Sequence, residues 1–126
     1  NVFSLGDCSS LPTSKTAAAV KAQLPVLVNN VLAALQGAET AASYNGYTAC
    51  PVTTSHGKVM LAEFTYAGTV ATTLPIDSRI PRRFYWWLKS SFLPWFYWNF
   101  LLKGRHVPDL AKERHFPEAL PSPIEA

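Results

Sequence analysis

Charge is scarce in this chain. Only 15% of its 126 residues are Asp, Glu, Lys or Arg while 48% are hydrophobic, a balance that excludes a disordered polymer and fits one folded domain's worth of chain. Eleven basic and eight acidic residues leave a formal charge of +3, too weak and too dispersed for a nucleic-acid footprint, so no nucleic-acid partner is expected. Cysteine is scarcer still. Cys8 and Cys50 are too few for a secreted disulfide framework and lack the CxxC spacing of structural zinc, which leaves one bridge or two free thiols. His56, His106 and His115 have no ligand-like spacing and no Ser/His/Asp arrangement is visible, so no metal site is expected and His56 reads as solvated. A GxGxxG dinucleotide fingerprint occurs nowhere. Residues 1–11 carry Asp7 and lack the basic start and apolar core of a signal peptide. The most apolar stretch, 84–102, is interrupted by Lys89, Ser90, Ser91, Pro94 and Asn99 and falls short of a plain transmembrane helix.

What is present divides into four parts. In 1–37, the run Val2-Phe3-Ser4-Leu5 stops at Gly6-Asp7 and reads as the end of a buried strand. A strand at that place implies a sheet lying upstream, as in a piece of a longer protein. Thr16 to Gln36 is dense in Ala, Val and Leu with only Lys21 charged, which predicts a buried helix capped by Ser14 or Thr16 and stopped by Gly37. Pro25 predicts a kink or break in it. The small residues Ala17, Ala18 and Ala19 before Val20 predict a close packing partner at its first turn. In 38–78, a polar linker leads to two strands, 47–54 and 58–66, joined through Ser55-His56-Gly57 as a hairpin. Glu63 on the second strand is expected to be paired or exposed, and 69–83, with Pro75 and Pro81, to be a connection. In 79–105 all four tryptophans, Trp86, Trp87, Trp95 and Trp98, fall among Phe and Tyr, predicting two short helices separated near Pro94. The tail 106–126 mixes Pro with charge and is expected to end disordered. The fold class is therefore an α+β fragment.

Two places carry candidate chemistry. A strand ending in Gly6-Asp7 before a small-residue helix can set a carboxylate at a sheet edge, where it accepts hydrogen bonds from ligand hydroxyls. The helix that follows aims unpaired N–H groups and partial positive charge at whatever lies before it. An isolated Gly-Asp is more often a loop aspartate capping a turn. Cys50, immediately before Pro51, is held extended at a strand edge or irregularity; taken alone, such a cysteine is more often a small buried hydrophobe than a nucleophile.

In combination the motifs are more specific. Val2 to Asp7 followed by Pro12-Thr13-Ser14-Lys15-Thr16-Ala17-Ala18-Ala19-Val20 resembles the second FAD-contacting segment of two-dinucleotide-domain flavoproteins. With Tyr44-Asn45-Gly46-Tyr47-Thr48-Ala49-Cys50-Pro51, Leu61-Ala62-Glu63-Phe64 and Leu93-Pro94-Trp95-Phe96-Tyr97-Trp98-Asn99, the chain resembles the sulfide:quinone oxidoreductases, most of all the branch with the mitochondrial enzymes, over roughly 1–104. The resemblance implies a parent with two Rossmann-like domains. Gly6 and Asp7 would then hold the ribityl chain of FAD, and Lys15 and Thr16 would sit at the N1/O2 edge of the flavin. Cys50 would be one of two redox cysteines: sulfide opens a disulfide or trisulfide joining them, leaving a persulfide on one and a thiolate on the other, and the electrons pass through FAD to a quinone while the sulfur leaves to an acceptor. The second cysteine would come from elsewhere. Cys8 matches a structural cysteine of the family better than the redox partner.

For the aromatic stretch, composition leaves an aromatic core, an oligomer interface and a lipid surface all open, since Trp and Tyr with flanking Arg79, Arg82, Arg83, Lys89, Lys103 and Arg105 suit an anionic interface. The resemblance favours the membrane, with the quinone near Phe92, Trp95 and Phe96. It implies a peripheral enzyme of a bacterial or mitochondrial inner membrane, expected as a homo-oligomer. Without the dinucleotide fingerprint or the second cysteine, the isolated chain is expected to be inactive and to hold FAD weakly or not at all. The alternatives are a type II NADH:quinone oxidoreductase-like flavoprotein, which has no need of Cys50, and a non-catalytic membrane-binding or oligomerising module.

Overall fold

A computed structural model describes residues 2–105 and 110–114. In order, the elements are α1 (Ala17–Leu35), β1 (Thr48–Ser55), β2 (Lys58–Phe64), β3 (Ala71–Thr72), α2 (Arg83–Trp87), α3 (Leu93–Asn99) and β4 (Lys112–Glu113). The expected α+β class holds for the chain. The strands form two antiparallel pairs, β1 with β2 and β3 with β4. The expected disorder at the end of the tail, and His106 and His115, lie outside the described residues.

α1 begins where expected. Thr16 is extended and its hydroxyl accepts from the Ala19 N–H at 3.1 Å, replacing an acceptor that the first turn lacks. At the other end Gly37, at φ +69°, lets its N–H reach the Ala34 carbonyl and that of Ala38 reach Ala33, the paired closure that favours glycine. The helix runs unbroken through Pro25, against the expected break. Pro25 is exposed, so the carbonyl it leaves unpaired opens towards water rather than into a dry core. The expectation of a buried helix is also corrected. Only Ala19 and Gln23 are buried, while Leu24, Val28, Leu32 and Leu35 form an exposed stripe at helical spacing. By length and composition alone α1 could cross a membrane, a property the reading of 84–102 passed over. Its polar face, however, is tied to protein at both ends: Gln23 accepts from the Gly6 N–H at 2.8 Å, and Asn30 exchanges two hydrogen bonds with Ala42.

Residues 2–5 form no strand; Leu5 is extended, but the chain then enters a tight turn at Gly6–Cys8. A strand needs a neighbour to bond with, and the described residues supply none here. The close partner predicted for the first turn of α1 is this same turn. A Cβ on Gly6 would meet the Val20 side chain at 3.1 Å.

The hairpin forms with Thr48 opposite Phe64 and Cys50 opposite Ala62, and its register shifts between Thr53 and Ser55 beside a turn in which Gly57 has φ +71°. Along β2 burial alternates, with Val59, Leu61 and Glu63 inside, as a strand with one covered face requires. The chain from 71 to 82 borders β2 rather than merely connecting. Leu61 N–H donates to Ser78, and Val59 and Arg82 exchange two backbone bonds. Tyr85, fully buried, closes the core against Val59 and Leu61, with Leu74, Trp86 and Leu88 packed around it.

From Arg83 to Asn99 the chain stays helical. The expected separation near Pro94 is instead a wide π turn, Leu88–Phe92, with αR backbone at both junctions. Pro94 falls in the first turn of α3, where its missing N–H costs least. Ring contacts run along this helix, with Phe92–Phe96 and Phe96–Phe100 stacked at 5.7 and 5.5 Å.

Candidate functional site

The geometry of the hairpin decides what Cys50 can meet. Because Leu61 and Val59 turn their N–H groups away from β1, their partners Pro51 and Thr53 turn their own backbone groups away from β2. Pro51 therefore occupies an outward position on an edge strand, where no ladder donor is missed. Side chains opposite each other in the register share a face. Ala49, Pro51 and Thr53 thus face the Tyr85 core, whereas Thr48, Cys50 and Val52 face the other way.

That other face is where α1 arrives. The Thr48 hydroxyl lies 2.9 Å from that of Thr16, the cap of α1, and 3.3 Å from the Ser14 carbonyl. Cys50 comes two residues later on the same face, about 7 Å along the strand. Its thiol is free and exposed. The inert reading, a small buried hydrophobe, does not describe it.

The turn before α1 presents Asp7. Its side chain is exposed and receives no hydrogen bond among the described residues, so the carboxylate is open to hydroxyl donors. Gly6 above Val20 leaves the turn tight. Lys15 is partly committed, its ammonium donating to the Leu11 carbonyl at 2.8 Å and to the Ser9 hydroxyl at 3.3 Å. Thr16 is committed to capping. The N–H groups at the helix mouth that no acceptor takes among the described residues are those of Ala17 and Ala18, two donors that the sequence reading left unnamed. Cys8 is free and exposed, with its thiol directed to the Leu5 carbonyl at 3.1 Å. No disulfide joins it to Cys50.

Phe92, Trp95 and Phe96 come together in ring contact, Phe92 lying 6.0 Å from Trp95 and 5.7 Å from Phe96. Helical spacing alone accounts for that cluster. What the sequence did not reveal is how the aromatic helix is fixed to the cysteine strand. Lys89, which looked like an interruption of an apolar run, donates to the Pro51 carbonyl and to the Thr53 hydroxyl, both at 2.9 Å. The open carbonyl of a strand edge is the signal that only the register could supply.

Glu63 is corrected from paired or exposed to buried. One of its oxygens accepts from Tyr47 Oη at 2.9 Å and from the Thr73 hydroxyl and N–H at 2.7 and 3.1 Å, while the other is buried with no hydrogen-bond partner among the described residues. Through Tyr47 it anchors the start of β1, one residue before Thr48. Among the described residues no cluster of three or more His, Cys, Asp or Glu could hold a metal ion.

No family model matches the chain. Comparison with curated proteins finds it 47% identical to the mitochondrial sulfide:quinone oxidoreductase of Schizosaccharomyces pombe, over 82% of this chain and 24% of that protein. It is 50% identical to that of Dictyostelium discoideum, over 83% of this chain and 23% of the relative, and 41% identical to that of Mus musculus, over 82% and 23%. The chain thus spans about a quarter of the length of the relatives it matches, and across that quarter it belongs to the sulfide:quinone oxidoreductase family.

Proposed function

We propose that this chain is the C-terminal part of an FAD-dependent enzyme that oxidises sulfide through a cysteine pair and passes the electrons to a membrane quinone. The observation carrying the reading is the exposed Cys50 thiol on the face of β1 that meets the α1 cap. The residues fit a flavin edge: an open carboxylate at Asp7, a tight turn at Gly6, and free N–H groups with a positive helix end beside Lys15 and Thr16. FAD, when bound, supplies the two-electron acceptor that a thiol alone lacks. Asp7 would accept from ribityl hydroxyls. The end of α1 and the Lys15 ammonium would favour negative charge at the ring edge. Sulfide reaches that thiol from solvent.

Phe92, Trp95 and Phe96 would border the quinone on a segment whose exposed aromatic rings suit a lipid interface of the inner mitochondrial membrane. Exposure of Trp87, Trp95 and Trp98, each above half, supports a surface-lying segment. The relatives' names carry the sulfide and quinone parts of the reading; the second redox cysteine and the dinucleotide fingerprint would lie in the part of the protein beyond this chain.

Anaerobic titration of the full-length protein tests this. Sulfide is expected to bleach the flavin absorbance, and Cys50→Ser to abolish that response. Reduction by NADH that survives the substitution would replace the reading with an NADH:quinone oxidoreductase. The isolated 126-residue chain is expected to purify without flavin and without activity; a stoichiometric yellow complex would contradict its dependence on the missing part.

A further inference from the structure

A second site lies at the far end of the hairpin from Cys50's flavin-side neighbours. Val59 and Arg82 exchange two backbone hydrogen bonds, at 3.2 and 2.9 Å, and this antiparallel bridge brings Lys58 beside Arg83 although they are 25 positions apart in the chain. Together with His56, Gly57 and Trp86 they line a cleft of about 230 Å³. The imidazole lies 5.8 Å from the indole of Trp86, centroid to centroid, so the turn and α2 form its two walls.

The charge in this cleft is all of one sign. No carboxylate lines it, and neither Lys58 nor Arg83 makes an ion pair among the described residues. Neither Asp77, paired with Arg79, nor Glu63, buried with one oxygen accepting from Tyr47 and Thr73, lines the cleft. Two uncompensated cations converging on a concave wall with an indole attract an anion of matching size. The volume is below that of a pocket for a drug-sized molecule and suits a phosphate group with its nearest substituents. The next exposed rings along α2, Phe84 and Trp87, are of the aromatic kind that favours the headgroup region of a bilayer.

We infer that the cleft of Lys58, Arg83, His56 and Trp86 is a binding site for the phosphate headgroup of an anionic phospholipid. This deepens the interfacial reading of the aromatic segment and rests on it. The site would fix the rotation of the helix on the membrane, because headgroup and rings would engage at once, and Lys89 would carry that orientation to the Cys50 strand.

The test is sedimentation of the full-length protein with vesicles of phosphatidylcholine, alone or doped with phosphatidylglycerol. Doped vesicles are expected to bind more tightly, and the double substitution Lys58→Gln, Arg83→Gln to lower that partition by about thirtyfold while leaving binding to neutral vesicles intact. The charge-matched control, Lys103→Gln with Arg105→Gln, is expected to lose clearly less. Equal losses from the two pairs would reduce the site to general surface charge and overturn the proposal. So would inorganic phosphate that, at matched ionic strength, binds the lipid-free protein and displaces it from the vesicles, since the ligand would then be free phosphate. Binding to neutral vesicles with no gain from phosphatidylglycerol overturns this inference alone; no binding to either overturns the interfacial reading as well.

Discussion

The Tyr85 core on β2 and the cap of α1 lie on opposite faces of the hairpin, and the apolar residues of β2 and α1 meet different fates. On β2, Val59 and Leu61 are covered by Tyr85, Leu74 and Trp86 from the same chain. On α1, the stripe of Leu24, Val28, Leu32 and Leu35 stays exposed although it is at least as apolar. The aromatic helix shows both behaviours within a few residues, with Tyr85 sealed and Trp87 open. Apolar sequence therefore marks where burial is favoured, but closure depends on whether a covering element is present among the described residues. The closed side can be expected to carry the stability of the chain itself. The open faces of α1 and the aromatic helix would be completed by the rest of the protein and by lipid.

The most direct way to break this contrast is Tyr85→Ala, which empties the centre of the closed side. A loss of about 3–5 kcal/mol is expected in urea unfolding, whereas Tyr85→Phe should cost less, because it keeps the buried ring and removes only the hydroxyl beside Arg82. Burial also raises the Tyr85 phenol above its ordinary value. Next comes Gly46→Ala, at a junction where φ is +84° and a Cβ would sit 2.4 Å from the Tyr66 ring and 2.7 Å from its backbone nitrogen. Something must move, at a cost of about 2–3 kcal/mol by the same measurement.

A smaller effect tests the border of the closed side. The Arg79 guanidinium bonded to Asp77 at 2.8 Å holds that carboxyl below its ordinary 3.8. A lowered folded value means the contribution is fully present above the unfolded value and is lost as pH falls through the folded one. Asp77→Asn is expected to cost about 0.5–1 kcal/mol at neutral pH, and the difference from the parent protein should vanish in acid, below the normal carboxylate range. Smallest of all is Trp98→Ser on the open side: stability is expected to stay within about 0.5 kcal/mol, while partition onto neutral vesicles falls. A large loss of stability there would move Trp98 into the closed class and erase the contrast.

Much of this was legible beforehand because its cause is local. Thr16 as cap, Gly37 as stop and Gly57 in the hairpin turn are demands that a few adjacent residues make on their own backbone. Helical spacing also accounts for the ring contacts among Phe92, Trp95 and Phe96. The misreadings share one cause, which is that a neighbour was needed. Val2 to Leu5 has strand composition and no strand to pair with. Pro25 reads as a breaker until its place on the exposed side of α1 is known. Glu63 looks like a surface charge on a strand until Thr73 and Tyr47 close over it. Lys89 looks like an interruption until the edge of β1 supplies its acceptors.

The order of residues by itself determined where helix and turn begin and end, which thiol stands before a proline, and which stretch is rich in tryptophan, for each of these follows from the covalent chain and its nearest neighbours. Only the tertiary structure decided that Cys50 and the cap of α1 share one face of the hairpin, that Lys89 holds the aromatic helix to the opposite edge, and that Lys58 and Arg83 meet. Those relations depend on strand register, where a slip of one residue would turn every side chain of the strand to the other side.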